Sequence, residues 1–99
     1  MAIKYSPSII EGHDEHTCWA CGQNGKLDRH EVFHGAYRAK SARLGLWVHL
    51  CHDKCHLNGV HGGNKVLDTL LRQKAERAAL DAFGWDENDF IREFGKNYL

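Results

Sequence analysis

The chain carries no net charge: 13 Lys and Arg stand against 13 Asp and Glu over 99 residues. That overall balance is by itself uninformative about the chain's partners. No run approaches the ~20 consecutive apolar residues that a bilayer-crossing helix needs. The opening MAIKYSPSII lacks a basic n-region, a sustained apolar h-region and a small-residue cleavage site, so a cytoplasmic protein is expected. Internal repeats and low-complexity segments are missing as well. A chain this short makes one domain with a marginal apolar core, for which a disulfide or a structural metal is the expected staple.

Four cysteines are present, and they come as two close pairs, Cys18 and Cys21 in CWAC and Cys51 and Cys55 in CHDKCH. In a reducing compartment such clusters favour metal over disulfide, and two short pairs separated by 29 residues have the spacing of a four-thiolate zinc site. A reduced, unliganded set and a redox pair at Cys18 and Cys21 are the competing readings. The redox reading leaves Cys51 and Cys55 unexplained and lacks the βαβ pattern that normally surrounds such a pair. Histidine is equally concentrated: all eight fall between positions 13 and 61. Charge is also unevenly spread, with ten Lys and Arg against five Asp and Glu from Lys26 to Arg77. That middle suits a polyanion, although a solvated helix surface accounts equally well for Arg72, Lys74 and Arg77.

Residues 1–16 lack periodicity and are expected to form an irregular lead-in to a single domain over 17–99. CWACGQNG predicts a tight turn at which two thiolates converge. HEVFHG, with Val32 and Phe33, and LWVHL, running into Cys51, are the strand candidates; the basic GAYRAKSARLG between them reads as a loop with a helical turn. Asn64 is a fitting N-cap for a helix that carries Val66, Leu67, Leu70, Leu71, Ala75, Ala78, Ala79, Ala82 and Phe83 at helical spacing and stops at Gly84. A second, short helix is expected from Asp86 to Gly95, with Phe90, Ile91 and Phe94 on one face. The fold class is α+β: a zinc-stapled treble clef, in which a short hairpin and a helix follow the zinc turn, with helices after it.

CWACG, LDRHEVFHGAYR, GLWVHLCHDKCH, GVHGGN and FGKNYL, in that order over residues 18–99, give a chain that resembles the HNH endonucleases, in particular the short phage- and prophage-encoded type linked to recombination. The resemblance implies a ββα-metal core, a second divalent metal (Mg²⁺, Mn²⁺, Ni²⁺ or Zn²⁺) beside the structural zinc, and metal-assisted hydrolysis of DNA phosphodiesters in a bacterial or phage-infected cell. It places His30, His56 and His61 as ligands of the catalytic metal and Glu31 in the slot of the general base. Glu31 departs from the usual histidine there, and carboxylate is the weaker proton acceptor, with an ordinary pKa of ~4.3 against ~6.5 for histidine. His30 itself and His34 are the alternative bases. The middle asparagine of the family is missing, since none lies between His30 and Cys51; Ser41 or a backbone group is the available substitute. Arg29, Arg38, Lys40 and Arg43 would grip backbone phosphates, which position a duplex without reading its sequence. Weak or structure-based specificity follows, with branched or single-stranded recombination intermediates as substrates and recombination proteins as partners. His52 is expected to be solvated or to sit behind the ligands, His49 to lie on a sheet face, and His13 and His16 to be incidental. The competing class is a non-catalytic zinc module that binds DNA or protein, which accounts for Glu31 and the missing asparagine without further assumptions.

Overall fold

The computed structural model describes residues 3–11 and 17–99. His13 and His16 lie outside the described residues. The architecture is α+β: an antiparallel pair of strands, β1 (Leu27–Glu31) and β2 (Trp47–Cys51), with three α-helices, α1 (Arg38–Arg43), α2 (Lys65–Phe83) and α3 (Glu87–Phe94). A single 3₁₀ turn, Gly35–Tyr37, leads into α1, and a nine-residue π-helical segment, His52–Val60, follows β2.

The hairpin begins earlier than the β-propensity of Val32 and Phe33 suggests. These two residues leave the ladder and are buried, at 0% and 3% exposure, so their apolar bulk serves the core where a strand assignment had put it in the sheet. Phe33 packs against Phe90 and Phe94 of α3 at ring-centroid distances of 5.4 and 4.6 Å. Ser41 in α1 ties this crossing together: its hydroxyl donates to the Leu46 carbonyl at 2.6 Å and accepts the Phe33 N–H at 3.2 Å. Both bonds are buried, and the Leu46 carbonyl keeps the Val32 N–H at 3.1 Å, so Ser41→Ala strands the Phe33 N–H away from water. We expect a loss of about 1–3 kcal/mol, read as a lower urea midpoint of the zinc-loaded protein with an unchanged slope.

Strand register assigns the two faces of the sheet. Asp28 pairs with Leu50, Arg29 with His49, His30 with Val48 and Glu31 with Trp47. Because side chains alternate along a strand, Asp28 and His30 share one face with Val48 and Leu50, while Arg29, Glu31, Trp47 and His49 share the other. The first face meets the π-helical segment and α2. The second is covered by residues 3–11, which have no regular structure but are firmly bonded: Ser8 Oγ donates to the Trp47 carbonyl at 2.6 Å, Trp47 Nε1 donates to the Ser6 carbonyl at 2.7 Å, and Tyr5 packs edge-on against Trp47. Gly45 is required beneath this strap, since at φ +78° an added Cβ would run into the Pro7 carbonyl.

Both C-terminal helices have the caps their sequence advertises. Asn64 accepts the Leu67 N–H, Asp86 and Asp89 form a reciprocal capping box, and Gly84 and Gly95 end the helices in the left-handed region. The apolar stripe of α2 is wider than the surface it meets. Leu71, Ala75 and Ala79 are fully buried, whereas Val66, Leu70 and Phe83 are exposed at 81%, 43% and 37%. A two-stranded sheet and one short helix cannot cover a broader face. Among the described residues no helix is long and apolar enough to cross a membrane.

Candidate functional site

Two clusters of ligating side chains lie on either side of Asp28. In the first, the turn at CWAC is pinned by Cys18 N–H to the Gln23 carbonyl and Gly22 N–H to the Cys18 carbonyl, and docked on β2 by Trp19 N–H to the His49 carbonyl. The end of β2 and the π-helical segment bring Cys51 and Cys55 to the same point. All four sulfurs lie within 4.8 Å of one another, and none is in a disulfide. Bonds of about 2.3 Å in a tetrahedron give edges of about 3.8 Å, and the Cys21 and Cys51 sulfurs are 3.8 Å apart. Burial opposes ionisation at Cys18 and Cys55. At Cys18 the backbone N–H groups around it overcome that penalty and bring its pKa down to about 7, while burial and the neighbouring thiols push Cys55 up. Four thiols so placed cannot all ionise without a cation among them, which is the chemistry of a site for a structural metal such as zinc.

The second cluster is built on histidine. His30 Nε2 or Nδ1 and one ring nitrogen each of His56 and His61 lie within 4.8 Å of one another, with ring centroids 5.4 Å apart for His30 and His56, 5.3 Å for His30 and His61, and 4.7 Å for His56 and His61. The last pair depends on the π-helical winding. At about 100° per residue an ordinary α-helix would turn residues five apart roughly 140° away from each other. The wider winding bonds residue i to i+5, and His61 N–H indeed donates to the His56 carbonyl at 3.0 Å. His30 reaches the pair from the neighbouring face of β1. It is 2% exposed, and its buried Nε2 has no hydrogen-bond partner among the described residues. Burial, reinforced by His56 and His61, holds its pKa down to about 3; burial and His56 lower that of His61 as well. Three converging imidazoles, one of them with the buried His30 Nε2 unpartnered among the described residues, fit a divalent metal.

A cavity of about 230 Å³ opens over this cluster, rimmed by Arg29, Glu31, His34 and Arg38. Glu31 is the neighbour of His30 in sequence but belongs to the opposite face of the strand, and Arg38 Nε donates directly to its carboxylate. His34 is half-exposed at the rim, its ring 5.9 Å from that of His30 and 5.6 Å from that of His61. Its Nε2 accepts from Arg72 Nη2 at 3.1 Å, and Asp68 lies 3.9 Å from it. Among the cations expected to face DNA, Arg38 is thus paired at the cavity, and Arg29 stacks over Tyr5 and Trp47 at 4.6 and 5.2 Å. Lys40 is turned away: its Nζ donates to the Glu93 carbonyl at 2.9 Å and pairs with the Glu93 carboxylate at 3.3 Å. Arg43 is exposed at the end of α1.

His49 is half-buried on the lead-in face, with Nδ1 3.0 Å from Glu11 Oε2. His52 is bonded rather than solvated, its Nδ1 2.7 Å from Asp28 Oδ2. Asp28 and Arg72 are the neighbours of the site that sequence reasoning did not single out. For Asp28 a signal existed, because it precedes His30 by two residues on a strand and so shares its face; for Arg72 there was none, since its approach to His34 depends on how α2 docks. Comparison of the chain with protein-family models, with curated proteins and with solved structures gives no match in any of the three.

Proposed function

We propose that the chain is a metal-dependent DNA endonuclease of HNH type, of the phage or prophage recombination kind, with a Cys18, Cys21, Cys51 and Cys55 zinc stapling a treble-clef, ββα-metal core. The reading is carried by one observation: three histidines from the hairpin and the segment after it converge beneath a cation-rimmed cavity, and the buried Nε2 of His30 has no partner there among the described residues. His30, His56 and His61 would hold a divalent metal, which when bound would supply Lewis-acid stabilisation of charge developing on the scissile phosphate and the leaving 3′ oxygen.

The chain's own side chains bind, orient and move the proton. Arg38 and Arg29 at the rim attract the phosphodiester backbone, and Arg38 can exchange its Glu31 partner for a phosphate oxygen. His34 is the best placed base: it stands half in solvent beside the cluster, its ring 5.9 Å from that of His30 and 5.6 Å from that of His61. Release of its Nε2 by Arg72, which gains a phosphate partner in the same movement, leaves the lone pair free to take a proton from the attacking water. His30 is too deeply buried for this role and is a ligand. Glu31 holds Arg38. Phosphate contacts position DNA without reading its sequence, and branched or single-stranded DNA as the substrate class rests on the resemblance to the HNH endonucleases.

A cleavage assay on plasmid and single-stranded DNA with Mg²⁺, Mn²⁺, Ni²⁺ and Zn²⁺ compared, alongside metal counting, tests the proposal. Two metals per chain and cleavage are expected. One cysteine-bound zinc with no cleavage would return the non-catalytic zinc module, the reading that the Glu31–Arg38 pair favours. Arg38→Ala with Arg43→Ala should weaken DNA binding and flatten its dependence on log salt by about 0.9 for each phosphate no longer neutralised. An unchanged slope would show that DNA lies elsewhere on the surface.

A further inference from the structure

We infer that Asp28 is the positioning residue of the histidine cluster: its carboxylate grips His56 by Nδ1–H and so presents His56 Nε2 to the metal, with His52 held as a second arm on the same oxygen. The inference rests on the proposed second metal site and adds to it the device that orients one of its ligands. Asp28 Oδ2 lies 2.9 Å from His56 Nδ1 and 2.7 Å from His52 Nδ1. An ionised carboxylate only accepts hydrogen bonds, so in both neutral rings the proton sits on Nδ1 and the lone pair on Nε2. The carboxylate loses some hydration in this position, yet the bonds from His56 and His52 keep its pKa below the ordinary aspartate value.

The placement follows from backbone geometry. Asp28 and His30 are two apart on β1 and therefore face the same way, and His52 and His56 are four apart on the π-helical segment. One carboxylate thus touches the segment at two successive turns, between Cys51 and Cys55 on one side and His61 on the other. Its two arms link the cysteine cluster to the histidine cluster, so that the His56 ring cannot swing without breaking a bond in a site that is only partly solvated, at 16% exposure for the His56 side chain and 26% for Asp28. Neither His30 nor His61 is hydrogen-bonded to a carboxylate among the described residues, which leaves Asp28 as the one acid that orients this set. Partners of this kind behind a metal-bound histidine fix its tautomer and are worth about 10–100-fold in metal affinity.

The test uses the full chain loaded with zinc at the cysteines, at a pH where imidazole is neutral. Long-range ¹H–¹⁵N NMR reads the tautomer of His56 before any second metal is added, and Co²⁺ titration then reads the affinity of the histidine site. The wild type should show Nδ1–H at His56. Asp28→Ala should convert it to Nε2–H and weaken Co²⁺ binding by about 10–100-fold, while Asp28→Asn, which can still accept through Oδ1, should keep the wild-type tautomer with a smaller loss and guards against a failure of the alanine variant to fold. An Nε2–H His56 in the wild type, or an Asp28→Ala protein that binds Co²⁺ as tightly as the wild type, would overturn the inference. A wild-type chain that binds no Co²⁺ at the histidines defeats the second-metal reading instead; the tautomer of His56 in wild type and variants then still decides whether Asp28 orients the ring.

Discussion

Serine in place of Cys18 or Cys51 is expected to unfold the domain. Both thiols are buried, at 2% and 7% exposure, and each belongs to a different half of the cluster, so either substitution opens the tetrahedron. Apparent binding energies of ~10–16 kcal/mol for structural zinc match or exceed the whole ~5–15 kcal/mol stability of a typical domain. The sheet offers no compensation, since two strands alone are marginal in water, and the far end of β2 is Cys51 itself. The expected result is a chain without near-UV circular dichroism and with no cooperative thermal transition, and the wild type should reach the same state under a strong chelator. A Cys18→Ser protein that still melts cooperatively after chelation would sink the structural-metal reading.

The second large effect is expected at His30. If the proposed second metal sits among the histidines, His30→Ala removes the ligand that β1 would contribute and should abolish both that metal and the proposed cleavage while a metal at the cysteines remains. His34→Ala should keep two metals and lose the ~10²–10⁴-fold that a positioned base contributes. Glu31 separates the remaining assignment. If His34 is the base, Glu31→His should give little gain at pH 7, because position 31 at the cavity rim is occupied in holding Arg38; a large gain would instead make position 31 the seat of the base. Metal content and rate have to be taken from the same preparations, since loss of the ion and loss of the base both stop cleavage. A fully active His30→Ala enzyme would rule out His30 as ligand and as base alike.

Much of the framework was legible because it is written in local chemistry. Cysteine spacing announces a four-thiol cluster whatever surrounds it, as a short turn limits where two thiolates can point. Helices α2 and α3 are delimited by Asn64, Asp86, Gly84 and Gly95, whose effects reach only a few residues along the chain. The gathering of all histidine before position 62 is likewise visible by inspection. Periodicity was less reliable for burial: Val66 and Leu70 repeat with the core residues of α2 yet face outward, because the pattern records what a helix can bury and the neighbouring elements decide what it does bury.

What tertiary structure alone decided concerns direction and partnership. Adjacent residues His30 and Glu31 read as a pair, but strand alternation at this register sends one into the histidine cluster and the other to Arg38. His56 and His61 are five apart, a spacing that an ordinary helix would divide between two faces; the π-helical winding after Cys55 brings them together. Phe33, a strand former by propensity, lies beyond the ladder and packs instead on Phe90 and Phe94 of α3. Lys40, one of four basic residues in a row of candidates, is tied to Glu93 at a separation of 53 positions, and Asp28 joins His52 and His56 from 24 and 28 positions away. Such pairings carry no local signal. Residue types and short spacings follow from the chain itself, whereas the side on which each group emerges, and the group it meets there, depend on register, winding and docking that are set only when distant segments pack.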